Sequence, residues 1–181
     1  MRSYCLEGII IKRVNVGEAD KILTLFTKES GKVVLKVKGV RKLQSKRAGS
    51  LELFNHVRVF VVKGRGSLDL LTEVILLNTF SSWRKFLGRV NLAYQLAEAV
   101  DKLTPENQSH PEIFTLLLSA FLDIENLDSN WKLKIENWLI NLIIELGYWP
   151  EDKKFTGDIY KFIEDIISRP LYSPKILDKL R

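Results

Sequence analysis

The hydrophobic pattern changes period near residue 80, and that change limits the folds open to this chain. From Tyr4 to Leu77 the apolar positions recur every second residue, as along a half-buried strand; from about Ser81 they recur as on one face of a helix. The clearest strand is Lys32-Val33-Val34-Leu35-Lys36-Val37-Lys38, with Val33, Leu35 and Val37 on one face and Lys32, Lys36 and Lys38 on the other. The run His56–Lys63 repeats the design: Val57, Val59 and Val61 turn inward, and His56, Arg58 and Phe60 are expected to share the outer face. Three more apolar runs flank these, near Leu6–Val14, Lys21–Lys28 and Leu68–Leu77. Gly31 marks a tight turn between the second and third strands, and Gly64-Arg65-Gly66-Ser67 another between the fourth and fifth.

Five short strands in so few residues must close on themselves to hide their edges. The long connection, Gly39–Phe54, lies between the third and fourth strands. That arrangement matches an OB-fold, a small barrel that binds oligonucleotides on its second and third strands and adjoining loops; an SH3-like barrel has the same strand count. Beyond it, Trp83, Phe86, Leu87, Val90, Tyr94, Ala97 and Val100 form one helical stripe, ended by Thr104-Pro105. Ser109 and Glu112 read as a capping box with Pro111 in the first turn of a helix running to about Ile124. A third helix, about Ser129–Leu146, is apolar around much of its circumference and is expected at the bundle centre. Ile159, Phe162, Ile163, Ile166 and Ile167 define a fourth, and Ser173-Pro174 caps a last short one. The expected class is therefore α+β with two domains: a five-stranded OB-fold barrel over 1–80 and an all-α helical bundle over 81–181, joined near residues 78–82.

Charge follows the same division. Residues 1–80 carry 15 Lys and Arg against 7 Asp and Glu, and residues 81–181 carry 13 against 15, so the whole basic excess lies in the barrel half. Such asymmetry points to a polyanionic partner for that half. One cysteine, Cys5, excludes an internal disulfide and any thiolate cluster. The apolar stretch Leu133–Leu146 is interrupted by Glu136, Asn137, Asn141 and Glu145, and reads as a buried helix rather than a membrane span. The first residues have no apolar run or small-residue cleavage site of a signal peptide, so a cytoplasmic, nucleoid-associated setting is expected.

No catalytic constellation emerges, and no cofactor or metal is expected. His56 and His110 lie in different halves without metal-ligand neighbours at the usual spacing, and read as surface or cap residues; phosphate contact is the functional option for His56. Residues 63–67 are glycine-rich but lack the spacing of a phosphate loop. Glu18 and Asp20 lack a third ligand and read as a capped loop. The strong signal is Lys32–Arg47, which carries Lys32, Lys36, Lys38, Arg41, Lys42, Lys46 and Arg47 and no acid. Cations gain by releasing counterions from a phosphate backbone, whatever the base sequence. Arg58 and Phe60 are candidates to stack on bases, with packing under the long loop the alternative for Phe60. Arg65 in the last turn completes the candidate DNA-binding set.

Several of these residues also carry a resemblance. Tyr4 and Leu6-Glu7-Gly8-Ile9-Ile10, then Gly17-Glu18-Ala19-Asp20-Lys21-Ile22-Leu23-Thr24, Lys38-Gly39-Val40-Arg41-Lys42, Ser45-Lys46-Arg47 and Gly49-Ser50-Leu51 resemble the RecO family of recombination mediators. In the second half Asp101-Lys102-Leu103-Thr104-Pro105-Glu106 and Leu146-Gly147-Tyr148-Trp149-Pro150 fit the same family, so the resemblance covers about residues 4–150. It implies an N-terminal OB-fold, a helical C-terminal domain, binding of single- and double-stranded DNA, and annealing of strands coated by single-strand-binding protein. It also implies partnership with RecR, contact with the C-terminal tail of single-strand-binding protein, and assistance in loading RecA. By position, the family's basic loop corresponds to Arg41, Lys42, Lys46 and Arg47. After Pro150 many members carry a four-cysteine zinc site, whereas here Glu151-Asp152-Lys153-Lys154-Phe155 follows and no cysteine comes after it.

The expected function is thus a non-enzymatic mediator of DNA repair and homologous recombination. An OB-fold RNA-binding module of translation or RNA processing is the alternative, and an adaptor dominated by its helices a third. For the acidic tail, the candidate docking residues are Lys132, Lys134, Lys153, Lys154, Lys161 and Arg169 beside Trp131, Trp149 and Phe162.

Overall fold

A computed structural model describes residues 3–40, 48–64, 66–126 and 130–174. Strands β1 (Ser3–Val16), β2 (Asp20–Thr27), β3 (Gly31–Val37), β4 (His56–Val62) and β5 (Asp69–Asn78) come first. Helices α1 (Leu87–Leu103), α2 (Pro111–Asp123), α3 (Trp131–Glu145) and α4 (Ile159–Ile167) follow, with 3-10 turns at Gly49–Leu51 and Ile124–Asn126. The strands close into a barrel in the order β1-β2-β3-β5-β4, the Greek-key arrangement of an OB-fold. The chain divides into two compact units, 1–79 with 106–114 and 80–105 with 115–181.

The barrel follows from strict alternation. Along β3, Val33, Leu35 and Val37 are buried while Lys32, Val34 and Lys36 are half-exposed. Val57, Val59 and Val61 of β4 are wholly buried. They join Leu6, Ile10, Leu23, Leu25 and Leu71 in one core, to which Val40 and Leu51 of the long connection also belong. Each such side chain gains about 2 kcal/mol by leaving water. β1 is long because it serves two partners, β4 through Ser3–Ile9 and β2 through Gly8–Val16, and it bends at a bulge between Ile10 and Lys12. The end of the long connection is pinned there: Phe54 N–H donates to Ile10 O at 2.8 Å, and Ile10 N–H to Asn55 O at 3.0 Å.

In the second unit α1 is the hub, packing against α3 and α4 and burying nine residues to the five of α3. This corrects the expectation that α3 is central: one face of α3 is buried, while Leu133 is 59% exposed. The phase of α1 also differs from the expected stripe. Of that stripe Trp83, Ala97 and Val100 are buried, but Leu87 and Tyr94 are 60% and 42% exposed, and the buried face also takes in Leu92, Leu96, Ala99 and Leu103. The reason lies upstream, where Trp83 is not helical but fully buried against Phe80 and Phe121, its indole N–H donating to Phe121 O at 3.1 Å. Two polar residues sit on the buried face because they are satisfied there. Asn91 donates to Ser173 O, Gln95 donates to Asn91 Oδ1, and Tyr160 OH donates to Gln95 Oε1.

α2 begins at Pro111, so His110, not Ser109, holds the cap position, and its carbonyl accepts from Phe114 N–H at 3.1 Å. The capping box of Ser109 with Glu112 is one residue out of register. α4 is capped by Asp158, which accepts from the N–H groups of Tyr160 and Lys161. The last short helix expected after Ser173-Pro174 lies outside the described residues, apart from its start.

Segment 106–114 completes the first unit. β3 pairs with β5 only at Leu35 and Lys36, leaving the first residues of β3 with one edge unpaired by a strand. Lys32 bridges Glu106 there, and Asn107 N–H donates to Lys32 O at 2.8 Å. The approach is possible because Gly31 has no side chain: a Cβ would lie 1.7 Å from Gln108 O, and its φ is +63°. Gly17 also has a positive φ, +56°, but open space around it. Gly31→Ala is therefore expected to lower the unfolding free energy by about 2–3 kcal/mol, and Gly17→Ala by only about 1 kcal/mol. Urea unfolding of both variants checks this, and equal losses would contradict the close packing at Gly31.

Candidate nucleic-acid interface

The end of β3, the start of β2 and the β4–β5 turn enclose a cleft of about 630 Å³ lined by Val16, Ile22, Lys36, Lys38, Lys63, Gly66, Ser67, Leu68 and Leu70. The fold brings these together through one short parallel pairing, Leu35 with Asp69 and Lys36 with Leu70. Two aspartates hold the lysines in place. Asp20 accepts from Gly39 N–H at 2.9 Å and pairs with Lys36 at 3.2 Å. The Gly39 amide and then Lys36 hold its carboxyl below the usual range. Asp69 accepts from Tyr4 OH at 2.6 Å and Gly64 N–H at 3.1 Å, and pairs with Lys63 at 3.0 Å. Its carboxyl is also lowered, by the Tyr4 hydroxyl first. Lys63 further lies over the Tyr4 ring, 5.5 Å from its centre. Asp20 is thus a structural clamp that acts from the first residue of β2 on the turn after β3, rather than a cap of its own loop.

The expected site residues separate into groups. Lys32 and Lys36 are half-buried on β3 and Lys38 is exposed just beyond it. Arg41, Lys42, Lys46, Arg47 and Arg65 lie outside the described residues. Arg58 and Phe60 are exposed on β4, but β5 stands between β4 and β3, so they do not share a pair of neighbouring strands with the lysines. Phe60 faces Cys5 of β1 and Glu73 of β5, and Arg58 pairs with Glu7 at 2.9 Å. Lys63 was missed. It sits in the turn set aside as glycine-rich, and the usable signal was that β4–β5 loops flank the binding face of an OB-fold.

His56 corrects an expectation. It does not face solvent with Arg58 and Phe60; it is 9% exposed, 6.0 Å from the Phe114 ring, with Nε2 at 3.1 Å from Glu7 Oε1. His56 keeps the face that alternation assigns to it, since the Glu7 carboxylate meets both His56 and Arg58, and the extra residue of the nearby bulge lies on β5; Phe114 covers the ring there. His110 is only half-exposed, and its Nε2 is buried without a hydrogen-bond partner. Burial lowers the His56 pKa, outweighing the opposing pull of Glu7. The neutral ring is thus favoured in the folded chain, while the unfolded chain takes up a proton below about pH 6.5. Stability from this group is present above that pH and lost as pH falls toward the folded pKa. The melting temperature is expected to drop between pH 7.5 and 5.5, and to drop less in His56→Gln, which keeps every other titrating group. An equal drop in both would contradict the buried neutral histidine.

Among the described residues, no group of three or more His, Cys, Asp and Glu is placed to hold a metal, and no helix is long and apolar enough to cross a membrane. The stretch after Tyr148 holds an aromatic trio: Trp149 lies 5.0 Å from Phe155 and 5.7 Å from Phe162, with 5.4 Å between the two phenylalanines. The Trp149 indole N–H donates to Lys153 O at 2.8 Å. An indole and two phenyl rings offer no zinc ligand, so these three side chains do not fit the zinc site that the resemblance implies for this place in the chain. Lys132, Lys153, Lys154, Lys161 and Arg169 are exposed, and Lys134 is half-buried in a polar cleft with Asn126, Asn137 and Asn141.

The chain is similar to two family models, Recombination protein O N terminal over residues 1–80 and Recombination protein O C terminal over 87–153. It is 35% identical over 150 residues to a DNA repair protein RecO of Roseiflexus sp. (strain RS-1), covering 83% of this chain and 52% of that one. A DNA repair protein RecO of Dehalococcoides mccartyi (strain CBDB1) is 31% identical over 169 residues, covering 93% of this chain and 65% of the relative. One from Symbiobacterium thermophilum is 34% identical, covering 83% and 59%. The chain thus spans between half and two thirds of the length of these relatives. With the barrel and helices α1 to α3 matched in order by two models of the same family, this chain belongs to the RecO family.

Proposed function

We propose that this chain acts in DNA repair and recombination by binding DNA strands on its barrel and promoting their annealing, without making or breaking bonds. The observation that carries this reading is the gathering of Lys36, Lys38 and Lys63 around one cleft on the binding side of an OB-fold. In sequence, Lys38 leads directly into Arg41, Lys42, Lys46 and Arg47, which extend the cationic track. Such a track neutralises phosphates and so lowers the repulsion between two complementary strands. In this reading residues 1–80 hold DNA, both single- and double-stranded. The helical half, residues 81–181, with no basic excess, meets protein partners: RecR, the acidic tail of single-strand-binding protein and, through them, RecA. The setting is the nucleoid of the cytoplasm. Names borne by the relatives support the repair role, and the charge division within the chain supports the division of labour.

If Lys36, Lys38, Arg41, Lys42, Lys46 and Arg47 each contact a phosphate, affinity for single-stranded DNA falls with salt at a log–log slope of roughly −4, at about −0.7 per contact. Replacing Arg41, Lys42, Lys46 and Arg47 together by Ala is expected to flatten the slope by about 3 units while leaving the melting temperature nearly unchanged. A titration over several salt concentrations checks this, and an unchanged slope in a folded variant contradicts the assignment.

A further inference from the structure

Phosphate contacts explain the rim of the cleft but not its floor. Backbone phosphates need cations and N–H donors, yet Val16, Ile22, Leu68 and Leu70 line the same cleft with aliphatic surface. A concave apolar floor with a few convergent polar groups is the usual form of a site that takes a flat or compact ligand out of water. Its volume, about 630 Å³, falls within the range of such sites. None of the residues lining it is acidic, since Asp20 and Asp69 hold their lysines from outside the wall. The ammonium groups of Lys36 and Lys63 have three donors each, and one carboxylate contact does not use them all.

A nucleotide presents both chemistries on one unit: a base with apolar faces, and a phosphate on either side of the sugar. In a duplex those faces are covered by stacked neighbours, so only an unpaired nucleotide can offer them. We infer that the cleft is a subsite for one unpaired nucleotide of a DNA strand. The base lies against Val16, Ile22, Leu68 and Leu70, and the flanking phosphates meet Lys36, Lys38 and Lys63. This rests on the reading of the barrel as a DNA-binding surface and adds to it a preference for unpaired DNA. It also differs from the usual OB-fold device, in which bases stack on aromatic rings: the floor here is aliphatic, and Phe60 lies on β4, outside the lining.

The test compares three ligands by fluorescence anisotropy with the full chain: an oligothymidine, a strand of equal length and charge with abasic residues, and a duplex. The intact strand is expected to bind about tenfold tighter than the abasic one, the size expected for moving part of one base face out of water onto aliphatic surface. Leu68→Trp, which fills the cleft from a turn, is expected to bring the intact strand down to the abasic level. Equal binding of intact and abasic strands with steep salt dependence would overturn the subsite and leave the DNA-binding reading standing. Absence of salt-dependent binding to all three would overturn that reading, and the subsite with it. Free thymidine monophosphate is expected to compete only at concentrations far above the strand. If it binds as tightly as the strand, the cleft serves a free nucleotide and the proposal fails. An acidic, apolar-ended peptide that loses affinity in Leu68→Trp while the strand does not would equally overturn it. The intact-versus-abasic comparison needs no variant and stands even if Leu68→Trp does not fold.

Discussion

Two residue pairs, Leu35 with Asp69 and Lys36 with Leu70, close the barrel, and the lysine-rimmed cleft depends on them. They are the only parallel pairing among the described strands and the shortest contact of the sheet. Without them β5 would not lie beside β3, and the β4–β5 turn carrying Lys63 would not stand opposite Lys36 and Lys38. Closure also removes the exposed edges that a five-stranded open sheet would present to other chains. A feature that is small in energy thus sets the position of most of the cationic rim.

That rim brings like charges together, and the structure handles the repulsion locally. Asp20 and Asp69 each face one lysine and at the same time accept a backbone N–H, from Gly39 and Gly64 respectively. The carboxylates therefore serve twice, fixing the turn that follows β3 and the turn that follows β4, and holding an ammonium at the edge of the cleft. Exposed pairs of this kind add little stability by themselves. Their value is geometric, because a lysine already held at the rim loses less side-chain freedom on meeting a phosphate.

The strands, their inward faces and the OB-fold were legible because period-two alternation is a direct consequence of strand geometry, and Val57, Val59 and Val61 obey it without exception. The family was legible from contiguous blocks such as Gly17–Thr24. What failed did so where tertiary contacts override pattern. Trp83 looked like the first residue of a helical stripe but is a buried turn residue, which shifted the phase read for α1. His56 keeps the face that alternation gives it, but Phe114, far along the chain, covers it, and alternation cannot foresee such a cover. The aliphatic floor of the cleft could not be read at all, since Val16, Ile22 and Leu68 become neighbours only when the barrel closes. Asn91 and Gln95 are buried polar residues whose partners, Ser173 and Tyr160, lie far along the chain.

The central claim is that the barrel, not the helices, holds the DNA strand, and photocrosslinking addresses it most directly. An oligonucleotide carrying 5-iododeoxyuridine, crosslinked to the full chain and mapped by mass spectrometry, is expected to mark peptides from 16–22, 32–47 and 63–70. Crosslinks confined to residues 81–181 would contradict the account, since the strand would then lie on the half of the chain that carries no basic excess.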